Sequence, residues 1–125
     1  LGEKAIHKDL VEKYVRAREK TNLYINLPCL NEIISNSDLC IGAGGTSTWE
    51  RACLGLPTIT YSIAKNQEKQ AEYLSELGMC IYHNNDNEKI KLPSIVKLKD
   101  MSKKGFDLCD GLGTERLLNL INSIN

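Results

Sequence analysis

The sequence predicts an α/β fold, a parallel sheet of about four strands with helices on both faces. Short, nearly continuous apolar runs recur along the chain, and amphipathic segments with helical spacing separate them. The chain has 125 residues, of which 42% are hydrophobic and 26% charged, and this is the composition of one globular domain with a single core.

The first part of the chain is predicted to form two helices with one strand between them. Residues 8–20 place apolar side chains at helical spacing and charges on the other faces, so we expect a helix there. The strand formers of "NLYINL", residues 22–27, predict the first strand. Pro28 then opens a short helix over 28–37.

The central part predicts two more strands and the helix between them. Residues 38–42 and 58–62 are short apolar runs of the kind that form buried strands. The helix over 48–54 is expected to end at Gly55, with Pro57 beyond it. The remaining predicted elements are a helix over 66–78 with Gly78 as its stop, a fourth strand over 79–82, a polar turn over 83–89, two short helices within 93–108 and a last amphipathic helix over 114–124.

Composition argues against several classes of function. The 16 basic and 16 acidic residues cancel, so we expect no general attraction to nucleic acid. No apolar stretch approaches the roughly 20 residues that a membrane span needs, and no signal peptide is visible. The chain begins with Leu1 rather than Met, and we therefore expect it to be part of a longer protein.

The five cysteines are odd in number and show no C-x-x-C spacing. We interpret them as buried free thiols of a reducing cytoplasm rather than as a disulfide framework or a zinc site. No cluster of carboxylates suited to magnesium is visible either, so the sequence predicts no metal and no cofactor.

In the stretch "IGAGGTSTWERACLGLP", residues 41–57, three glycines (Gly42, Gly44 and Gly45) and three hydroxyl side chains meet at the junction between a predicted strand and a predicted helix. One interpretation is structural. Ser47 and Glu50 have the S-x-x-E spacing of a capping box, and Gly44 and Gly45 would let the chain turn sharply.

The other interpretation of the junction is an anion site. A helix start offers unpaired amides and a partial positive charge, glycines let a phosphate approach the backbone, and Thr46, Ser47 and Thr48 add hydroxyl donors. The glycine spacing fits neither a P-loop nor a G-x-G-x-x-G motif. In a parallel sheet with right-handed crossovers, the junction and the loop "SIAKNQ", residues 62–67, would meet at the edge where ligands bind.

A family resemblance favours the anion site. The stretch "NEIISNSDLCIGAGGTSTWERACLGLPTITYSIAKNQ" resembles the C-terminal domain of the UDP-sugar hydrolases of pseudaminic acid biosynthesis. The resemblance extends from about Leu27 to Gly78 and resumes at "CDGLGTERLLNLI". Those proteins are similar in fold to the MurG-type glycosyltransferases, which have two Rossmann-like domains with the nucleotide sugar in the cleft between them (the GT-B arrangement).

The resemblance implies roles for seven residues. It implies that Glu50 accepts hydrogen bonds from the ribose hydroxyls and that Asn66 and Gln67 contact the sugar or the distal phosphate with their amides. From the residues alone, Asn66 is a helix N-cap. The residues that would hold the diphosphate are Gly44, Gly45, Thr46 and Ser47.

The resemblance also implies what lies elsewhere. Residues 1–125 would be a nucleotide-sugar-binding C-terminal fragment without its first strand, and the catalytic base would lie in the protein's own N-terminal domain. We interpret His7 and His83 as surface residues, and we therefore predict no catalytic residue in this chain. The other predicted roles are core packing for Trp49, an exposed helix position for Arg51 and anchoring of the last helix for Arg116.

The expected function is thus the UDP-binding half of a cytoplasmic hydrolase that releases UDP from a UDP-linked deoxy amino sugar. Two alternatives remain at this point. One is the donor-binding domain of a MurG-like glycosyltransferase, and the other is a non-catalytic docking subunit of a split glycosyltransferase.

Overall fold

The computed structural model of the chain describes residues 1–84 and 88–124. They form two compact units, Leu1–Asn31 and Glu32–Asn125. The described helices and strands are, in chain order, α1 (Lys8–Arg16), α2 (Asn31–Ser35), β1 (Cys40–Ala43), α3 (Thr46–Cys53), β2 (Thr58–Tyr61), α4 (Lys65–Glu76), β3 (Cys80–His83), α5 (Ile95–Leu108) and α6 (Gly113–Ile124).

The first unit contains α1 and an extended segment, and the strand predicted over 22–27 is wrong. The segment pairs with the backbone of a single residue, since Leu1 N donates to Tyr24 O at 2.8 Å and Asn26 N donates to Leu1 O at 3.0 Å. A strand requires a continuous partner, and β-propensity alone does not supply one.

The second unit is built on a parallel sheet with the strand order β1-β2-β3. The three strands are in register, starting with Cys40, Thr58 and Cys80 and ending with Ala43, Tyr61 and His83. The described residues therefore form three of the predicted four strands, each within two residues of its predicted bounds. The central strand is the most deeply buried, with Ile59 only 1% exposed.

Both crossover helices lie on one face of the sheet. Gly42 of β1 faces Arg51 of α3, and Cys80 of β3 donates to the carbonyl of Ala71 in α4. Cys80 is in register with Cys40, and residues two apart in a strand point to the same face, so Gly42 and Cys80 lie on the same face of the sheet. Successive right-handed crossovers in one direction put their helices on the same side, so α3 and α4 do not meet the prediction of helices on both faces.

The ends of α3 and α4 agree with the prediction from glycine. Gly55 follows α3 with φ +67°. Leu56 N donates to Arg51 O at 2.8 Å, and this hydrogen bond closes the C-terminal end of the helix. Gly78 ends α4 in the same way. These two stops return the chain to the sheet at the start of the next strand.

The segment 93–108 forms one helix, α5, and not the predicted two. The hydroxyl of Ser94 caps the helix by accepting a hydrogen bond from Lys97 N at 3.3 Å. Within the helix, the carboxylate of Asp100 accepts from Lys104, one turn further along, at 2.9 Å. Gly105 is a buried position inside this helix. The helix continues through it because it packs closely against α3 there.

The core lies between α3, α4 and β3. It contains Ala52, Leu74, Met79 and Cys80, with Trp49 packed against it, so the predicted core role of Trp49 is confirmed. The last helix differs, since α6 has no buried residue. Within the described residues, no helix is long and apolar enough to cross a membrane.

Candidate functional site

The glycine junction joins the end of β1 to the start of α3 at the carboxyl edge of the sheet. Gly44 N donates to Tyr61 O at 2.9 Å, which ties the junction to the end of β2. Gly45 then has φ +109° and ψ −160°, a conformation that residues with a Cβ rarely adopt, and α3 begins at Thr46. The turn thus requires glycine at position 45.

The capping box predicted from Ser47 and Glu50 is wrong. The N-cap of α3 is Gly45, so Ser47 lies inside the first turn, and its hydroxyl accepts from Arg51 rather than from a backbone amide. Thr48 N is satisfied, since it donates to Gly45 O at 3.0 Å.

The start of α3 therefore keeps open donors. No side chain caps the helix, and the backbone amides of Gly45, Thr46 and Ser47 make no hydrogen bond within the described part of the chain. A helix start has a partial positive charge because its first amides lack intrahelical partners. We call Gly44, Gly45, Thr46 and Ser47, the four residues predicted to hold a diphosphate, the anion cradle.

Gln67 lies against the cradle from the neighbouring loop. A Cβ placed on Gly45 would be 3.4 Å from Nε2 of Gln67, and one placed on Gly44 would be 3.7 Å from its Cβ. The Oε1 atom of Gln67 is buried without a hydrogen-bond partner among the described residues. The fold thus brings Gln67 to the two glycines with which the resemblance grouped it.

The predicted exposed position of Arg51 is wrong, because this side chain is buried, with 8% exposure. Its Nη2 donates to Ala43 O at 2.9 Å and to Thr48 Oγ1 at 3.1 Å, and its Nη1 donates to Ser47 Oγ at 3.2 Å. The guanidinium is drawn inward because the last β1 carbonyl and two hydroxyls of the first α3 turn are there to accept its protons.

The charge of Arg51 also reaches the buried thiol of Cys80 on the edge strand β3. Burial raises the pKa of the Cys80 thiol, and the positive charge of Arg51 opposes that shift. Since the guanidinium lies 3.2 Å from the hydroxyl of Ser47, its charge also contributes positive potential at the cradle.

The other residues named by the resemblance are at the surface. Glu50 is exposed one helical turn after Thr46, and Asn66 is exposed in the first turn of α4. Their side chains make no hydrogen bond with any described residue. The alternative of an N-cap for Asn66 is wrong, since Ala64 is the N-cap of α4 and no side chain caps that helix.

His83 also differs from its prediction. It was predicted as a surface residue of a polar turn, but it ends β3 beside Tyr61, with 5.0 Å between the ring centroids and 70° between the ring planes. Its Nε2 is buried without a partner among the described residues. His7, by contrast, is exposed as predicted. Residues 85–87 of the predicted turn lie outside the described residues.

The remaining predicted residues have structural roles. Arg116 forms a two-pronged ion pair with Asp110, at 2.7 and 3.0 Å, which ties the start of α6 to the preceding loop and confirms its anchoring role. All five cysteines are free, but only Cys80 is fully buried, and Cys29 is exposed, so the prediction of uniformly buried thiols is wrong. Among residues 1–84 and 88–124 there is no group of three or more His, Cys, Asp or Glu side chains that could hold a metal ion.

Sequence reasoning missed Arg51, Tyr61 and His83. Arg51 had a signal, because it stands three and four residues after two hydroxyl side chains on a short helix, where they share one face. No local sequence pattern indicates that Tyr61 and His83 are neighbours, since only the sheet register places them together.

A family described as Protein of unknown function (DUF354) matches residues 10–120 of the chain. No curated protein and no solved structure matches it. The matched range includes the junction, the Gln67 loop and the Asp110–Arg116 pair.

Proposed function

This chain belongs to the family Protein of unknown function (DUF354), and we propose that it binds the diphosphate of a UDP-sugar at the anion cradle. In this proposal it is the C-terminal, Rossmann-like half of a GT-B-type UDP-sugar hydrolase of the cytoplasm. The observation that supports it most is the start of α3, where three backbone amides have no partner among the described residues and a buried arginine lies beside them.

The cradle suits a diphosphate better than a neutral ligand. Backbone amides at a helix start are donors only, and the dipole and the guanidinium of Arg51 both favour negative charge. Because Gly44 and Gly45 have no Cβ, the Gln67 side chain packs close to the cradle backbone and adds an amide from the other loop. A charged hydrogen bond contributes about 1.5–3 kcal/mol before entropy costs, so three or four would suffice for weak binding.

The exposed residues complete the proposed ligand site. Glu50 accepts from the ribose hydroxyls, and Asn66 contacts the sugar or the distal phosphate. Both side chains are free of other hydrogen bonds in the described structure, so binding would break none.

The proposed reaction is hydrolysis at the anomeric carbon. A water oxygen forms the new bond to that carbon, the bond to the diphosphate oxygen breaks, and UDP leaves with the electron pair. The proton of the water passes to a base in the proposed N-terminal domain. The contribution of the cradle is to stabilise the charge that develops on the departing diphosphate.

The test is a titration of the protein with UDP, followed by amide chemical shifts, with UMP and ADP as comparisons. We expect shifts centred on Gly44 to Glu50 and on Asn66 and Gln67, larger for UDP than for UMP. Binding by this half alone should be weak, on the order of millimolar. A folded sample that shows no shift at high UDP concentration would argue against the proposal.

A Gly45→Ala variant sharpens the test. At φ +109° the added Cβ strains the turn that presents the amides, so UDP binding should weaken. Gly2→Ala is the control, since nothing lies within 4 Å of a Cβ at Gly2, and it should bind as the unchanged protein does.

A further inference from the structure

Arg51 has a positive charge that the described structure does not neutralise. The side chain is 8% exposed, and no carboxylate of residues 1–84 or 88–124 lies within ion-pair distance of it. Its Nε atom is buried and has no hydrogen-bond partner among those residues. Burying a charge without a counter-charge is costly, so such an arrangement requires an explanation.

The hydrogen bonds of Arg51 direct that charge toward the cradle. Its three acceptors are neutral: Ala43 O, which ends β1, and the hydroxyls of Ser47 and Thr48 in the first turn of α3. Ser47 is itself a cradle residue, and its backbone amide has no partner in the described part of the chain. The side chain of Ser47 therefore connects the guanidinium to the helix start, where an anion would bind.

A purely structural tie does not require the charge. A neutral donor would join Ala43 to the first turn of α3 at a smaller desolvation cost, because only charged groups incur the large penalty of leaving water. An anion at the cradle changes this balance, since it provides the missing counter-charge in a site partly shielded from water.

We propose that Arg51 is a positioning residue that supplies the counter-charge of the anion cradle and sets its preference for ligands with two phosphates over ligands with one or none. This inference rests on the proposed function and deepens it. Arg51 acts through the field at the cradle and through its bond to Ser47, without touching the ligand.

The experiment measures the affinity of the protein for uridine, UMP, UDP and inorganic pyrophosphate, in the unchanged chain and in Arg51→Met. Methionine fills much of the space of the arginine stem without the charge. We expect about a tenfold loss for UDP and pyrophosphate, which corresponds to about 1.4 kcal/mol, a smaller loss for UMP and none for uridine. The loss should also shrink at high salt, because salt screens the field.

Arg51→Lys is the conservative variant. It keeps the charge but not the fork that reaches three acceptors, so the preference for UDP over UMP should stay within about threefold of the unchanged protein. It also covers the case in which Arg51→Met does not fold, since loss of that preference in a folded lysine variant would overturn the proposal.

The outcomes separate the two proposals. An equal loss for all four ligands in Arg51→Met would make Arg51 a structural tie and overturn the inference, while UDP binding would stand. Pyrophosphate binding without any preference for UDP over pyrophosphate would refute the nucleotide proposal, and the charge dependence on pyrophosphate would still test Arg51. If the unchanged protein binds neither pyrophosphate nor UDP, both proposals fail.

Discussion

Gly105 of α5 lies directly against the backbone of Ala52 in α3. A Cβ placed on Gly105 would be 3.0 Å from the carbonyl oxygen of Ala52 and 3.3 Å from its Cα. Both residues are buried, and α3 and α5 are among the most extensively packed pairs of elements in the second unit. The helix that begins at the anion cradle therefore packs against α5 through a contact so close that a Cβ at position 105 would require the two helices to shift.

Gly105→Ala should destabilise the protein. The added methyl meets backbone, which cannot rotate away, so α3 and α5 must separate, at a cost of about 1–3 kcal/mol. The measurement is the free energy of unfolding from urea denaturation. Gly113→Ala, at the start of α6, is the control, since nothing lies within 4 Å of its Cβ. Equal stability of the two variants would show that the helices can part freely.

The sheet could be predicted from the sequence because its signals are local. Each of the three strands is a short apolar run followed by a polar or glycine-containing junction, and the stops at Gly55 and Gly78 require a positive φ that favours glycine. Residues 22–27 have similar composition, but the fold offers them only Leu1 as a backbone partner. Strand pairing is a property of two segments, and one of them cannot predict it.

The candidate site, too, could be predicted only in part from the sequence. The junction glycines and Gln67 could be placed at one sheet edge from topology alone. The burial of Arg51 could not, because it depends on Ala43 and two hydroxyls that converge only when β1 and α3 meet. The usual preference of arginine for the surface predicts the opposite.

The cysteines should differ in reactivity. Cys29 is exposed, whereas burial raises the pKa of Cys80, and desolvation with the adjacent Cys109 thiol raises the pKa of Cys53. A higher pKa leaves less thiolate at neutral pH, so Cys29 should be alkylated first and Cys80 last. Mass spectrometry after timed exposure to iodoacetamide measures the order, and denatured protein, in which the rates should converge, is the control. Early labelling of Cys80 would contradict its burial.

The Asp110–Arg116 ion pair should make the stability of the protein depend on pH in the acid range. The guanidinium of Arg116, together with the Leu112 amide, lowers the pKa of Asp110 from 3.8 to about 2. Because the folded pKa is the lower one, the pair stabilises the fold above about pH 4 and loses that contribution as the pH falls to about 2. Asp110→Asn should therefore melt at a lower temperature than the unchanged protein near neutral pH, and the difference should fade toward pH 2.

The control for this effect is Asp107→Asn on α5. Asp107 is exposed and makes no ion pair with any described residue, so its replacement should leave the melting temperature nearly unchanged across the same pH range. A carboxyl titration by NMR checks the cause directly. An Asp110 that titrates at its ordinary value would mean that the pair does not persist in solution.

Glu50→Gln tests the proposed ribose contact. If the carboxylate accepts from the ribose hydroxyls, the amide should weaken UDP binding about tenfold, near 1.4 kcal/mol, since a charged hydrogen bond becomes a neutral one. The same variant should bind 2′-deoxy-UDP with a smaller loss, because that ligand lacks one of the two donors. Glu76→Gln, in the last turn of α4, is the matched control and should change neither affinity. Equal losses for UDP and 2′-deoxy-UDP in Glu50→Gln would place the effect at the start of α3 as a whole, because a change in the helix field acts on the phosphates and does not distinguish the sugars.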